Sequence, residues 1–195
     1  MYEKIKRFLD VVLSVGFLMF FWWVYVIIAI LIITDDKGTV IFKQRRIGKN
    51  KKEFWIYKFR TMKMDTPQNV PTHLLAHPET HITKVGDFLR KFSLDELPQL
   101  VNIIKGDMSI VGPRPALYNQ YDLIDERDKY GANDIRPGLT GHAQINGRDE
   151  LSVIGKARYD GEYVKKMSFF MDVSIVLKTG GIVFKRTGFR EGKHE

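Results

Sequence analysis

From Val11 to Thr34 the chain runs for 24 residues without a charged side chain, dominated by Val, Leu, Ile, Phe and Trp. A helix of that length reaches about 36 Å, more than the roughly 30 Å hydrocarbon core of a bilayer. The apolar region of a cleaved leader is shorter and ends at small residues, whereas Ile30-Leu31-Ile32-Ile33 runs on into Thr34-Asp35-Asp36. The segment therefore reads as membrane-embedded rather than as a leader or a buried soluble helix. Lys4, Lys6 and Arg7 precede it, and Lys37, Lys43, Arg45, Arg46, Lys49, Lys51 and Lys52 follow. The larger basic cluster assigns everything after residue 35 to the cytoplasmic face. A straight span then puts the N-terminus outside, while its own basic residues argue for keeping it inside, through a helix that turns back within the membrane.

The 195 residues leave room for one compact domain beyond this segment. A formal charge of +8 favours anionic partners: lipid headgroups, phosphorylated substrates or nucleic acid. The absence of cysteine excludes disulfides and thiolate metal sites. Thr39-Val40-Ile41-Phe42 and Phe54-Trp55-Ile56-Tyr57 read as short strands around a turn at Gly48 to Lys52. Residues 65 to 82 read as loop. His73, His77 and His81 could share one helical face as a metal site, but Pro78 interrupts that helix.

Helices are expected over Gly86 to Phe92 and Leu94 to Lys105, the second with Ser93 and Glu96 as a capping box and Gly106 as terminator. A Gly/Pro/Arg-rich stretch from Gly112 to Arg148 is interrupted by a polar helix near Ala116 to Lys129. Residues 152 to 186 return to helix, and their mix of Phe169, Phe170, Ile175, Val176, Lys178 and Lys185 suits a helix lying on anionic lipid. The expected fold class is α+β: a membrane-embedded helix over residues 1–36, a mainly helical domain with a small β-hairpin over 37–187, and a polar tail over 188–195.

Chemistry concentrates at Asp95-Glu96. Acids at a helix start are ordinary in themselves, but Lys84, Arg90 and Lys91 lie just upstream. A carboxylate among cations stays ionised, as a nucleophile toward phosphorus must, and hard oxygen donors beside a diphosphate suit Mg²⁺. In Gly112-Pro113-Arg114-Pro115 the flanking prolines fix the backbone and present one guanidinium at little ordering cost, which suits phosphate. Arg136-Pro137-Gly138 repeats the device, and Asn146-Gly147-Arg148 supplies a further polar turn.

The strings Tyr57-Lys58-Phe59-Arg60-Thr61-Met62, Ser93-Leu94-Asp95-Glu96-Leu97-Pro98-Gln99-Leu100, Lys105-Gly106-Asp107-Met108-Ser109, Gly112-Pro113-Arg114-Pro115 and Arg136-Pro137-Gly138-Leu139-Thr140-Gly141 resemble, in order, the bacterial sugar transferase family of monotopic polyprenyl-phosphate phosphoglycosyl transferases. The resemblance implies a two-step transfer: an aspartate attacks the β-phosphorus of a UDP-sugar, UMP leaves, and undecaprenyl phosphate takes the phosphosugar. It implies Asp95 as nucleophile and Mg²⁺ neighbour, Glu96 as its orienting or proton-transferring partner, and Lys58, Arg90 and Arg114 as phosphate-neutralising groups. Arg136 joins these as a candidate, and Asn146 and Arg148 resemble part of the nucleotide-sugar site. Pro115 to Gln120 resembles the capsule-synthesis branch that handles N-acetylated amino sugars.

The implied setting is the cytoplasmic membrane face, in contact with lipid, without nucleic acid and with homo-oligomer formation left open. In the family the membrane helix is usually broken by Ser-Pro and re-enters; here Trp22-Trp23 stands at that place, with no proline in the segment and Gly16 as its one glycine. A basic binding module would instead show steep salt dependence and no turnover. A sugar transferase attacking the anomeric carbon would release UDP, and the dinucleotide-type Gly-x-Gly-x-x-Gly unit is missing.

Overall fold

A computed structural model describes residues 2–66, 78–147 and 150–185. Helix α1 (Tyr2–Asp35) takes in the whole apolar run and extends it by more than two turns toward the N-terminus. Its geometry breaks at Phe21, where φ is −112° and ψ 19°. No proline or glycine stands there. Instead Phe17, Phe21 and Trp23 crowd the break, with ring centroids 4.6 Å apart for the first pair and 6.5 Å for the second. Large side chains around it stand open to the outside, Met19 at 73% exposure, Phe20 at 79% and Trp22 at 63%.

Both limbs of α1 dock on the same globular body. On the first limb Lys6, Asp10 and Ser14, spaced one helical turn apart, form a buried polar stripe. Lys6 donates to Asp172 Oδ2 at 2.7 Å, and Asp10 accepts from Ser109 Oγ at 2.7 Å and Ile110 N at 3.2 Å. Arg7 donates to the carbonyls of Ile103 and Ile104. On the second limb Ile28 and Ile32 pack on Phe59 and Leu89, Tyr25 Oη donates to Leu97 O at 3.0 Å, and Asp35 accepts from Val85 N at 2.8 Å. Asp36 pairs with Arg60 at 2.8 Å.

Strands β1 (Ile41–Ile47) and β2 (Glu53–Phe59) form the expected antiparallel hairpin; β2 contains its expected apolar centre, whereas β1 lies further along than the Thr39 to Phe42 expected, leaving Thr39 and Val40 outside and taking in the basic run to Ile47. Its turn is a single 3₁₀ turn over Lys49–Lys51 with Asn50 and Lys51 at positive φ. Helix α2 (Pro78–His81) begins at the proline, which is tolerated in a first turn. His73 and His77 lie outside the described residues, and no cluster of three metal-ligating side chains occurs among those described.

Helix α3 (Lys84–Lys91) starts on Thr83, whose hydroxyl accepts from Gly86 N at 2.9 Å. The helix expected from Leu94 to Lys105 is divided: a 3₁₀ turn over Leu94–Glu96 precedes α4 (Gln99–Lys105). Ser93 does not cap it. It adopts the left-handed conformation (φ 54°, ψ 23°), which turns its hydroxyl away from the amides that a capping box would satisfy. Pro98 separates the two pieces because it has no N–H to donate to the preceding turn. Gly106 ends α4 as expected, at φ 98°.

The Gly/Pro/Arg-rich stretch contains a pairing that composition concealed. Strand β3 (Ser109–Val111) runs parallel to β4 (Gly138–Thr140), aligning Ser109 with Gly138 and Val111 with Thr140. A Cβ at Gly138 would stand 2.1 Å from Gly112 N, and one at Gly112 would stand 2.5 Å from Arg136 O. The glycines of the two motifs are thus there for mutual backbone approach. Helix α5 (Tyr121–Asp128) is shorter than expected, and α6 (His142–Ile145) is a single turn. The C-terminal helical region divides at Met167 into α7 (Val153–Lys166), capped by Ser152, and α8 (Phe169–Lys185). In α8, Asp172 and Ile175 face inward while Phe169, Phe170, Val173, Val176 and Leu177 are exposed. With the exposed Phe8, Val12 and Leu13 of α1, they leave apolar surface on both helices, of the kind that marks membrane contact.

Candidate active site

The acidic pair sits where α3, α4, β2 and the second limb of α1 converge. The left-handed turn at Ser93 reverses the chain after α3 and sets Asp95 and Glu96 on the 3₁₀ turn, both under 10% exposed. A non-glycine residue in that region costs roughly 1–2 kcal/mol, a strain typical of functional turns. Tyr25 bonds the carbonyl of Leu97, so the chain immediately after the pair is tied to the second limb of α1.

Lys58 reaches the pair from β2. Its Nζ donates to Glu96 Oε1 at 2.7 Å and stands 3.7 Å from Asp95 Oδ2. Arg114 Nη2 donates to the same Glu96 oxygen at 3.1 Å. Arg90, whose Nε donates to Thr61 Oγ1 at 3.0 Å, is close enough for its charge to act on Asp95. The two acids therefore differ. Glu96 is tied by two cations, whereas no hydrogen bond reaches the Asp95 side chain among the described residues. Burial, reinforced by Glu96, pushes the Asp95 carboxyl above the ordinary carboxylate range, and Lys58, Arg90 and Arg114 oppose that push. The cations expected around Asp95 are present, and desolvation outweighs them in setting the direction of its shift. A more basic carboxylate is a stronger nucleophile once ionised.

Sequence reasoning placed Arg136 with this group, but the structure separates it. Its Nε donates to Gly106 O at 2.9 Å, at the far end of α4, where it lines a cleft with Lys6, Arg7 and Asp10. The Pro-flanked arginines lie at the ends of paired strands, and the parallel pairing of β3 and β4 sends their side chains to different places. Asn146 Nδ2 donates to His142 O at 2.8 Å, closing α6. Arg148 lies outside the described residues.

Two residues that no motif singled out hold the site together. Asn102 is fully buried: its Oδ1 accepts from Tyr57 N at 3.0 Å and its Nδ2 donates to Trp55 O at 2.7 Å, binding α4 to β2 beside Lys58. A polar residue between Leu100 and Ile103 on an otherwise apolar helix face was the available signal. Arg46 on β1 donates to Pro115 O at 3.0 Å. Strand alternation puts it and Gln44 on one face and Lys43 and Arg45 on the other, a distinction that the basic cluster obscured.

Residues 1–186 match the model of the family described as bacterial sugar transferase. The chain is 39% identical over 191 residues to an uncharacterized sugar transferase, EpsL, of Bacillus subtilis, covering 97% of this chain and 92% of that protein. It is 38% identical to the exopolysaccharide production protein ExoY of Rhizobium meliloti, covering 89% and 83%. It is 37% identical to the UDP-glucose:undecaprenyl-phosphate glucose-1-phosphate transferase of Xanthomonas campestris, covering 89% of this chain but 37% of that longer protein. A buried acidic pair among three cations, on a chain matched by the family model over nearly its full length, leads to one conclusion: this protein belongs to the bacterial sugar transferase family.

Proposed function

We propose that this protein transfers a sugar-1-phosphate from a UDP-sugar to undecaprenyl phosphate, releasing UMP, at the cytoplasmic face of the membrane. The observation that carries the reading is the asymmetry of the acidic pair. Glu96 is held by Lys58 and Arg114, and Asp95 carries a carboxylate raised in basicity and unencumbered by hydrogen bonds among the described residues. In the first step an Asp95 oxygen attacks the β-phosphorus, the bond from that phosphorus to the bridging oxygen breaks, and UMP departs with the electron pair. In the second an oxygen of the polyprenyl phosphate attacks the same phosphorus and Asp95 leaves as carboxylate. Lys58, Arg90 and Arg114 offset the charge that builds on the phosphate oxygens in both steps.

The residues fit a Mg²⁺ ion, since Asp95 offers a hard oxygen donor that no hydrogen bond engages among the described residues, with Lys58 nearby at 3.7 Å, and such ions commonly take one or two carboxylates plus substrate phosphates. When bound, it would supply charge neutralisation at the diphosphate. The docking of both limbs of α1 on one body, with the exposed break at Phe21 between them, supports a helix that enters and leaves the membrane on the same side. That arrangement holds the acidic pair at the level where a lipid-borne phosphate arrives. The resemblance of Pro115 to Gln120 favours an N-acetylated amino sugar as donor, and the Xanthomonas relative's named donor makes UDP-glucose the alternative.

The test supplies the purified chain with undecaprenyl phosphate, Mg²⁺ and a panel of UDP-sugars, and measures UMP. Release of UMP with one donor, and a phosphosugar adduct on Asp95 when the acceptor is left out, are expected. Release of UDP instead would overturn the reading.

A further inference from the structure

Arg114 reaches Glu96 from a segment whose consecutive carbonyls are held by other elements. Arg127 Nη1, on α5, donates to Arg114 O at 2.9 Å and is itself fixed by Asp160 through contacts of 2.8 and 2.6 Å. Arg46 Nη1, on β1, donates to Pro115 O at 3.0 Å, and Ile47 N donates to Ala116 O at 2.9 Å. Pro113 and Pro115 fix φ on either side. The backbone that carries the Arg114 guanidinium is thereby gripped from two sides.

The two gripping arginines are not alike. Arg127 is paired with a buried carboxylate, so its charge is compensated. Arg46 pairs with no carboxylate among the described residues. Its Nη2 donates to the neutral Gln44 Oε1 at 2.6 Å, and its buried Nε has no partner there. Burial, with Arg114 close by, lowers its affinity for the proton to a pKa of about 9, and Glu96 acts the other way. A half-buried cation with no carboxylate bonded to it among the described residues costs stability, so a tie made only to hold a carbonyl would be better served by a neutral donor. Placed here, the charge does something that a neutral donor would not: it repels Arg114 toward Glu96, while the planar fork of Arg46 holds two acceptors in a fixed geometry.

We propose that Arg46 is a positioning residue of the phosphate-binding site, acting through Arg114 by fixing Pro115 and directing the Arg114 guanidinium onto Glu96 and the donor diphosphate. This rests on the transfer reaction above and adds to it a residue that never touches substrate.

The test is a double-mutant cycle on the full-length chain in detergent or vesicles, following UMP release. Arg46→Met keeps the apolar stem and removes charge and donors; it should lower kcat/KM for the UDP-sugar about tenfold, equivalent to one lost charge-assisted hydrogen bond. Arg46→Lys should recover part of that loss. In combination with Arg114→Ala, Arg46→Met should add less than about twofold to the loss from Arg114→Ala alone, since its effect passes through a group already removed. Losses that multiply, or wild-type kinetics in the Met variant, would overturn the proposal. Arg46→Lys, which keeps the charge, carries the same cycle if the Met variant does not fold. A readout independent of turnover is amide exchange: residues 114–119 should exchange faster in Arg46→Met while Ala157 to Tyr163 remain unchanged. Unchanged exchange at 114–119 would also sink the idea. A wild-type chain that releases no UMP would count against the transfer reaction and leave this exchange test in force.

Discussion

The side chain of Asn102 pairs with the backbone of Tyr57 as a neighbouring strand would, accepting from its N–H at 3.0 Å while donating to the carbonyl of Trp55 at 2.7 Å. The residue that follows Tyr57 is Lys58, so this contact fixes the strand position from which the lysine reaches the acidic pair. Asn102→Leu is expected to leave two buried backbone groups unpaired. At about 1–3 kcal/mol for each such group, the variant should lose several degrees of melting temperature. Its kcat should fall with the displacement of Lys58, while Lys105→Gln, at the exposed end of the same helix, should leave both quantities near wild type. Thermal melts and UMP release on the two variants check this.

Asp95→Asn should abolish turnover without weakening the fold. Because burial raises this carboxyl, the folded state binds its proton more tightly than the unfolded chain does. Wild-type stability from this group is therefore greatest at low pH and falls as pH rises through the ordinary carboxylate range and up to the raised value. The Asn variant has no such loss, so its melting temperature should match wild type near pH 4 and exceed it near pH 7, by about 2–4 °C for each kcal/mol recovered. A variant less stable than wild type at neutral pH would show that the cations, not burial, dominate at Asp95.

Lys58→Met removes the 2.7 Å contact to Glu96 and one cation near Asp95. A loss of about 10²-fold or more in kcat is expected, the scale seen when a preorganised charge-stabilising donor is deleted. Arg136→Gln, which acts at Gly106 rather than at the acidic pair, should cost far less in kcat. Chelation of divalent cations with excess EDTA should abolish UMP release by the wild type, and restored Mg²⁺ should recover it. Full activity in chelator would reject the metal.

Asp172 accepts from Tyr2, Lys6 and Tyr163 at 2.6, 2.7 and 2.7 Å, joining the first limb of α1 to α7 and α8. Removing one partner of a buried pair leaves a charge uncompensated, so Asp172→Ala should cost roughly 3–5 kcal/mol. The same contact makes a topology test. Lys4 is exposed beside it and Lys52 is exposed at the hairpin turn, in a chain free of native cysteine. Lys4→Cys and Lys52→Cys should both resist a membrane-impermeant maleimide in intact cells and react after lysis. Labelling of position 4 alone before lysis would establish a straight span and a broken contact to Asp172.

Much of the local structure around the candidate site was legible because short-range constraints wrote it. The hairpin followed from β-branched and aromatic clusters, Gly106 ended its helix, and the acidic pair stood in strings whose resemblance to a family grouped it with Lys58 and Arg114, a grouping the structure reproduces. What misled was a local rule with a stronger competitor. Ser93 and Glu96 spell a capping box, but Pro98 and the need to reverse the chain placed Ser93 in a left-handed turn instead. Arg114 and Arg136 sit in look-alike motifs, yet their fates depend on which acceptor each meets, the Glu96 carboxylate in one case and the Gly106 carbonyl in the other.

The sequence by itself determined that a long apolar helix precedes a basic α+β domain with its carboxylates among cations, because hydrophobic length, charge and turn chemistry act over a few residues. Only the tertiary structure decided that α1 breaks at Phe21 with both limbs on one body, that β3 and β4 pair across 26 intervening residues, and that burial rather than charge governs Asp95. Those outcomes depend on which groups lose water together, and desolvation is a property of the packed whole: no residue carries it until its neighbours from distant parts of the chain have closed around it.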